Sequence, residues 1–350
     1  PANMDVSFNL TSIIAYDVCG NTATTYTGSK VLNYNPSGIG TSYTSPVYFN
    51  QGVSQTILQT TLTKAEPSLQ LQVTDGTISG ISNPITVKPG SITFLSVTTE
   101  HQGTETAGIP FSVILTLKDK SGNTITDYNS STPVVWSWTA KNSPNNGTPT
   151  MPANGNQSFA NGIAAINGFI LTRSEEFPCI TANIGSLTGS SQGITVKADA
   201  AYSFEITAPS TATAGASWTL TNIIALDKFG NIAVEYSGTK SLAYSGPGSG
   251  PISGEPAYPP QVVNFASGIS AQRLEMMLVL SEETAIRVNQ GNISGYSKKI
   301  VVVPAKPGRF ILSTANQGTE TAGHTFTMTI IAKDSFGNDA KGYTDLHPLI

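Results

Sequence analysis

A chain of 350 residues has room for two to four domains of ordinary size. Its formal net charge of −4 and its charged fraction of 11%, with no Lys/Arg cluster, exclude nucleic acid and anionic membrane surfaces as partners. No apolar run approaches the roughly 18 residues of a membrane span. Hydrophobic residues make up 39%, and Thr, Ser, Asn and Gly fill the surface, as expected of an exported β protein that tolerates self-association. The chain opens at Pro1 without Met or signal peptide, so a leader was removed or this is a segment of a longer protein.

In chain order, the first landmark is "DVCGN" at 17–21. It returns as "DKSGN" at 119–123, "DKFGN" at 227–231 and "DSFGN" at 334–338, at intervals of 102, 108 and 107 residues. A catalytic motif is needed once; one written every hundred residues marks a copied structural unit. Gly20, Gly122, Gly230 and Gly337 supply the positive φ of a tight reversal. Asp17, Asp119, Asp227 and Asp334 with Asn21, Asn123, Asn231 and Asn338 close the turn on nearby N–H groups. Nine residues after each Asp stands a Tyr: Tyr26, Tyr128, Tyr236 and Tyr343. Each reads as a core anchor whose hydroxyl reaches a polar edge.

Next in each unit comes Phe-x-x-Gly, at 49–52, 159–162 and 265–268, a hairpin turn followed by an alternating strand. The stretches "LTKAEP", "LTRSEEF" and "VLSEET" mark a further turn, and "SNPITVKPG", "SQGITVKAD" and "SKKIVVVPAKPG" a closing strand with a short joint. The next unit begins with an extended segment ("SITFLSV", "RFILSTA") and then "QGTETAG", identical at 102–108 and 317–323; repeat 3 has "PSTATAG". After it, Phe111, Val113, Leu115 and Leu117 share one face, as do Phe326, Met328, Ile330 and Ala332. Trp218 is read at the Phe111 position; Trp136 and Trp138 share a face in repeat 2 alone.

About seven strands per hundred residues and no helical periodicity predict an all-β chain: tandem immunoglobulin-like antiparallel β-sandwiches in an elongated array. The limits are 1–89 for repeat 1, 90–198 for repeat 2, 199–307 for repeat 3 and 308–350 for a partial repeat 4. Aligned on the Asp, Pro1 matches Thr211, so repeat 1 lacks the first strand, and repeat 4 carries first strands only. Two readings follow: a window on a longer array, or strand exchange, in which C-terminal strands complete the next molecule's first domain. Short joints predict a semi-rigid rod, each domain about 30 Å long and three on the order of 100 Å.

The string TAG-x-x-F…D-x-x-GN…Y resembles the tandem immunoglobulin-like repeats of prokaryotic surface proteins, the invasin- and intimin-like adhesins and some surface-layer proteins among them. The resemblance covers nearly the whole chain. It implies an extracellular, cell-surface location and a passive spacing or adhesive task.

No catalytic motif is found. His101, His324 and His347 have no motif spacing and read as exposed polar groups. No cofactor is expected. Calcium is the one metal weighed, on Asp17, Asp119, Asp227 and Asp334 with Glu175/Glu176 or Glu282/Glu283, but one Asp per turn is too few carboxylates, and the Glu pairs read as facing water. Glycosylation sequons stand at Asn9, Asn129, Asn146, Asn156 and Asn292. Asn129, Asn146 and Asn156 are read as loop positions crowding one face or end of repeat 2, and Asn9 as a strand position. Cys19 and Cys179, at non-equivalent positions, read as two buried free thiols, with a bridge between repeats or chains as the alternative. The loops "NPSGIGTSYTSP", "KNSPNNGTPTMPANG" and "SGPGSGPISGEPAYPP" vary most and are read as contacts to other subunits. The expected partners are therefore further copies or neighbouring repeats, and glycans. The expected function is a non-enzymatic filament, rod or surface-layer element; the alternatives are an adhesin stalk and the spacer of a secreted enzyme.

Overall fold

The computed structural model describes residues 2–3, 6–38, 40–174 and 176–344, and every regular element among them is a strand. Pro1, Glu175, His347 and Ile350 lie outside the described residues. All ladders fall within 2–88, 94–197, 203–303 or 309–333, and none crosses those limits.

Repeat 2 shows the unit. Phe94–Thr99 pairs antiparallel with Phe111–Lys118, which pairs antiparallel with Ile163–Phe169. The facing sheet holds Gly155–Ser158, Ser131–Trp138, Ile180–Ile184 and Leu187–Ser190. Thr104–Thr106 leaves the first sheet and runs parallel to Thr195–Lys197. This switch of the leading segment from one sheet to the other gives an immunoglobulin-like sandwich. Period-two alternation is strict along Phe111–Lys118: the odd positions are buried and the even ones half-exposed. The inward side chains meet Trp136, Phe169, Ile180 and Ile194 in one continuous core.

The Tyr of each motif packs edge-on against the Phe of Phe-x-x-Gly. Tyr26–Phe49, Tyr128–Phe159 and Tyr236–Phe265 have centroids 4.9, 5.7 and 4.9 Å apart, nearly perpendicular in every case. The hydroxyls reach Asp75, Thr132 and Gln290 respectively. Burial and the Asp75 partner push the Tyr26 hydroxyl up to about 12. Tyr343 differs. It is 37% exposed and its ring lies 5.8 Å from that of Phe310.

Repeat 3 departs by one residue. Ser217–Leu220 and Asn222–Leu226 are separate strands, interrupted at Thr221. Trp218 stands three residues after its TAG and pairs with Met276, as Phe111 stands three after its own and pairs with Phe169, so it holds the Phe111 position and packs half-buried against the core. The extra residue between TAG and Asp lies beyond it, at Thr221. Such breaks also hold the strands to two to eight residues.

The first strand of repeat 3, Ser203–Thr207, lies between the sheets. It pairs antiparallel with Asn222–Leu226 and parallel with Ile293–Tyr296. Its passage requires a missing side chain: a Cβ on Gly295 would lie 1.9 Å from the Phe204 carbonyl oxygen, and one on Gly189 in repeat 2 would lie 2.2 Å from that of Leu95. Among the described residues of repeat 1 no such strand occurs. Its buried residues split into two small clusters, around Leu62 and Val87 and around Val47 and Phe49. Repeat 4 has the first strand, Arg309–Thr314, paired only with Met328–Lys333.

The chain exposes 19644 Å². A compact monomer of this mass would expose roughly 13,500 Å², so the sandwiches form an extended array rather than a globule.

Replacing Gly189 by Val is expected to drive the first strand off repeat 2 and cost on the order of 2–3 kcal/mol. Chemical denaturation of residues 90–198 against wild type measures this, and an unchanged midpoint would contradict the close approach.

Candidate functional site at the repeat joints

In motifs 2, 3 and 4 the Asp-x-x-Gly-Asn turn is built in the same way. One carboxylate oxygen, Oδ1, accepts the N–H of the residue two later, at 3.0 Å from Ser121, 2.8 Å from Phe229 and 3.0 Å from Phe336. It also accepts the Asn N–H, at 2.9 Å in all three. The other oxygen, Oδ2, accepts the Asn side-chain amide at 2.8–3.0 Å. Gly122, Gly230 and Gly337 hold φ between 86° and 93° or at 83°, which closes the loop.

The turn also reaches outside its own sandwich. Oδ2 of Asp119, Asp227 and Asp334 accepts a backbone N–H from the joint segment: Gly90 at 3.0 Å, Asp199 at 3.1 Å and Ala305 at 3.1 Å. Each Asn then clamps the preceding repeat. Asn123 donates to the Thr63 carbonyl and accepts from Ala65 N–H, at 2.9 and 3.0 Å. Asn231 does the same with Thr172 and Ser174, both at 2.9 Å. Asn338 does so with Val279 and Ser281, at 2.8 and 2.9 Å. The acceptor and donor always lie two residues apart, in the turn written LTKAE, LTRSE or VLSEE. A primary amide is the one side chain that offers donor and acceptor side by side, which is why Asn suits this place.

Two joints add an aromatic plug. Phe229 seats against Gly108 and Gly147 of repeat 2, and a Cβ on Gly108 would lie 2.1 Å from its ring. Phe336 fills the corresponding seat at Gly215 and Gly254 of repeat 3. The plug carbonyls are capped by loop N–H groups, Asn145 to Phe229 at 3.0 Å and Ile252 to Phe336 at 3.1 Å. In the first joint Ser121 holds the plug position, and a cavity of about 180 Å³ beside Thr63 is lined by Pro36, Gly38, Leu62 and Leu69.

These contacts correct several expectations. The loops at 143–147 and 250–254 engage the next repeat of the same chain, because the plug needs a glycine-rich wall. Glu176 does not simply face water: it pairs with Lys141 at 3.1 Å and Arg173 at 3.3 Å. Glu282 accepts the Gly248 N–H at 2.7 Å, tying the loop to the turn. Cys19 is exposed, not buried, because it occupies the outward plug position of motif 1; Cys179 is half-buried, and both are free. His101 pairs with the buried Glu105 at 2.7 Å, which raises its affinity for a proton; His324 is exposed.

The acidic turns offer little to a cation. Each carboxylate is already spent on three to four N–H donors, and no group of three His, Cys, Asp or Glu that could hold a metal occurs among the described residues. Of the sequons, Asn9 and Asn292 are exposed, in a strand and in a hairpin turn. Asn129 is exposed but accepts the Asn161 N–H at 2.8 Å. Asn146 adjoins the plug contact, and Asn156 is exposed within strand Gly155–Ser158. Asn129 and Asn146 flank opposite ends of the eight-residue strand Ser131–Trp138, roughly 25 Å apart. They do not share one end of repeat 2, because that strand crosses the sandwich.

Motif 1 is closed internally by the same bonds. Asp17 accepts from Cys19 N–H, Asn21 N–H and the Asn21 amide, at 2.9, 2.8 and 3.2 Å. These bonds hold its carboxyl below the usual range. Asn21 clamps no other repeat among the described residues.

Solved structures of low sequence likeness match over most of this chain. FdeC, an Escherichia coli adhesin, matches at 15% identity over 86% of this chain and 94% of that one, with a TM-score of 0.35. Domains 4–9 of the surface layer protein SbsC match at 14% identity over 86% and 43%, with a TM-score of 0.22. Escherichia coli alpha-2-macroglobulin matches at 13% identity over 89% and 23%, with a TM-score of 0.28. The chain thus spans less than half the length of the latter two. No family model and no curated protein matches it.

Asn231→Ala strips two bonds and leaves a buried Thr172 carbonyl and Ser174 N–H unpaired, at a cost of about 1–3 kcal/mol to the joint. Small-angle scattering should show a broader distribution of shapes while each sandwich keeps its melting temperature. Ser121→Phe is expected to supply the ring that the other two joints carry and to stiffen the first joint, read by the same scattering curve. A pH titration gives a third check. Burial pushes Asp119 and Asp334 up, but their N–H donors outweigh it and hold both below the usual value. Depressed carboxyls contribute stability above the unfolded value of about 3.9. That contribution is lost as pH falls through the lower folded values, so the clamps should hold at neutrality and release in acid.

Proposed function

We propose that the chain is a non-enzymatic extracellular structural protein, a rod whose immunoglobulin-like sandwiches are locked end to end by the Asp-x-x-Gly-Asn clamp. The observation that carries this reading is the recurrence of one joint three times, with the same donors and acceptors at the same places. Recurrence at this level serves a mechanical property, the transmission of orientation from one sandwich to the next. A catalytic constellation has no use for it, and the polar groups that recur are consumed in holding the joint. The neutral, hydroxyl-rich surface suits lateral packing in a filament or surface layer. Exchange of strands between subunits extends the rod in this reading. A stalk that presents an adhesive tip, or a spacer in a secreted enzyme, would use the same joints.

Scattering from the purified chain tests the reading. A rod on the order of 100 Å long is expected, with a radius of gyration well above the ~20 Å of a compact globule of this length. A compact value, or one that Asn231→Ala and Asn338→Ala leave unchanged, would remove the mechanical role. Images of assembled material distinguish a filament from an isolated stalk.

A further inference from the structure

Glu105 is a buried carboxylate that neither the sandwich core nor the Asp-x-x-Gly-Asn clamp uses. It stands in Thr104–Thr106, the segment that crosses to the second sheet and runs parallel to Thr195–Lys197. Its side chain is 2% exposed. Oε2 bonds Nδ1 of His101 at 2.7 Å, and Oε1 has no hydrogen-bond partner among the described residues. A buried charge with one oxygen bare is costly unless a counter-charge lies against it. His101 is that counter-charge when protonated, and its ring is exposed, so its proton exchanges with solvent.

Two other repeats build the same place without a titrating pair. Ala212 holds the Glu105 position in repeat 3: each faces a valine of the closing strand, Val302 and Val196 respectively. In repeat 4 the heptapeptide is identical, but Asn316 stands where His101 does and donates its amide to Glu320 at 2.9 Å. An amide does not titrate, so that bond is indifferent to the histidine range of pH. Of repeats 2, 3 and 4, repeat 2 alone pairs this glutamate with a histidine.

The pair also lies beside the joint between repeats 2 and 3. The Ala107 N–H donates to the Lys197 carbonyl at 2.8 Å, and the Gly108 N–H to the Leu171 carbonyl at 2.7 Å. Gly108 is a seat of Phe229. Leu171 precedes Thr172, whose carbonyl Asn231 grips, and Lys197 stands two residues before Asp199, which donates to Asp227. The segment that Glu105 anchors therefore forms one wall of the joint and braces both stretches that the clamp holds.

We propose that the His101–Glu105 pair is a pH-sensitive latch on the joint between repeats 2 and 3, closed when His101 is protonated and loosened when it is neutral. This rests on the reading of the joints above and adds a regulator to one of them. Two further charged groups flank the pair. Glu100 precedes His101, and its oxygens are taken by the Ser112 N–H and hydroxyl at 2.9 and 2.8 Å. Lys197 stands exposed on the facing strand, opposite Thr106. The bond to Glu105 and its charge raise the proton affinity of His101; burial opposes them and Glu100 adds to them. A raised folded value gives stability that is present below the unfolded value of about 6.5 and lost as pH rises through the folded one. The latch is therefore closed in mild acid and open in mild alkali, where the buried carboxylate loses its counter-charge.

Amide hydrogen exchange on the full 350-residue chain at about pH 5.5 and about pH 8.5, corrected for the intrinsic pH dependence of exchange, tests this. Protection of the Ala107 and Thr195 amides, which bond across the two strands on either side of Glu105, is expected to fall about tenfold or more in the alkaline sample. That of Asn145, which donates to the Phe229 carbonyl across the joint, should fall with them. The amides at the same places in repeat 3 and its joint, Ala214 and Ile252, should not change. His101→Asn installs the pairing of repeat 4 and should keep all of these amides protected at both pH values. Glu105→Gln, a conservative change that removes the charge, should likewise abolish the difference. Equal protection at the two pH values in wild type overturns the proposal, as does a pH response that survives His101→Asn. A response limited to Ala107 and Thr195, with Asn145 unmoved, overturns the link to the joint. Scattering from Asn231→Ala at a single pH tests the rod itself, so a failure of the latch and a failure of the rod are told apart.

Discussion

A buried carboxylate with its N–H donors is the constraint on which the array depends. Asp119, Asp227 and Asp334 are fully buried at the sandwich ends, where an unpaired charge would be costly. Each is instead surrounded by the turn it closes and by the joint segment that enters it. The same group therefore folds the loop, fixes the path of the connecting chain and holds the Asn amide at the angle needed to grip the preceding repeat. Removing the carboxylate would free three things at once, which is why Asp, Gly and Asn recur together rather than singly.

The joints differ in strength for a reason visible in one residue. Phe229 and Phe336 place a ring against glycines of the preceding sandwich, adding apolar burial to two polar contacts. Ser121 cannot do this. The array is thus expected to be stiffer between repeats 2, 3 and 4 than between 1 and 2. Repeat 1 is also the sandwich with an open groove and a divided core. In repeat 3, by contrast, Phe204 and Ile206 of the first strand belong to a single core.

Much of the architecture was legible in the residues. The interval of the Asp-x-x-Gly-Asn motif, the odd-position burial of Phe111–Leu117 and the Tyr nine residues on all describe local periodicities, and backbone sterics make such signals local. The candidate site was half legible. The turn of Asp, Gly and Asn could be read, because its bonds close within five residues. Its second task could not, because Thr63, Thr172 and Val279 lie about sixty residues upstream of the Asn they bind. The Phe in DKFGN and DSFGN was the available signal, an apolar residue at the tip of a polar turn.

By itself the chain determined an all-β fold of repeated sandwiches and the places of its turns. These follow from hydrophobic alternation and from the φ demands of glycine, which act within a few residues. Tertiary structure alone decided that the motif is a clamp and that the variable loops serve the joints. Each of those depends on which distant backbone groups meet, and hydrogen bonds between remote segments leave no period in the sequence.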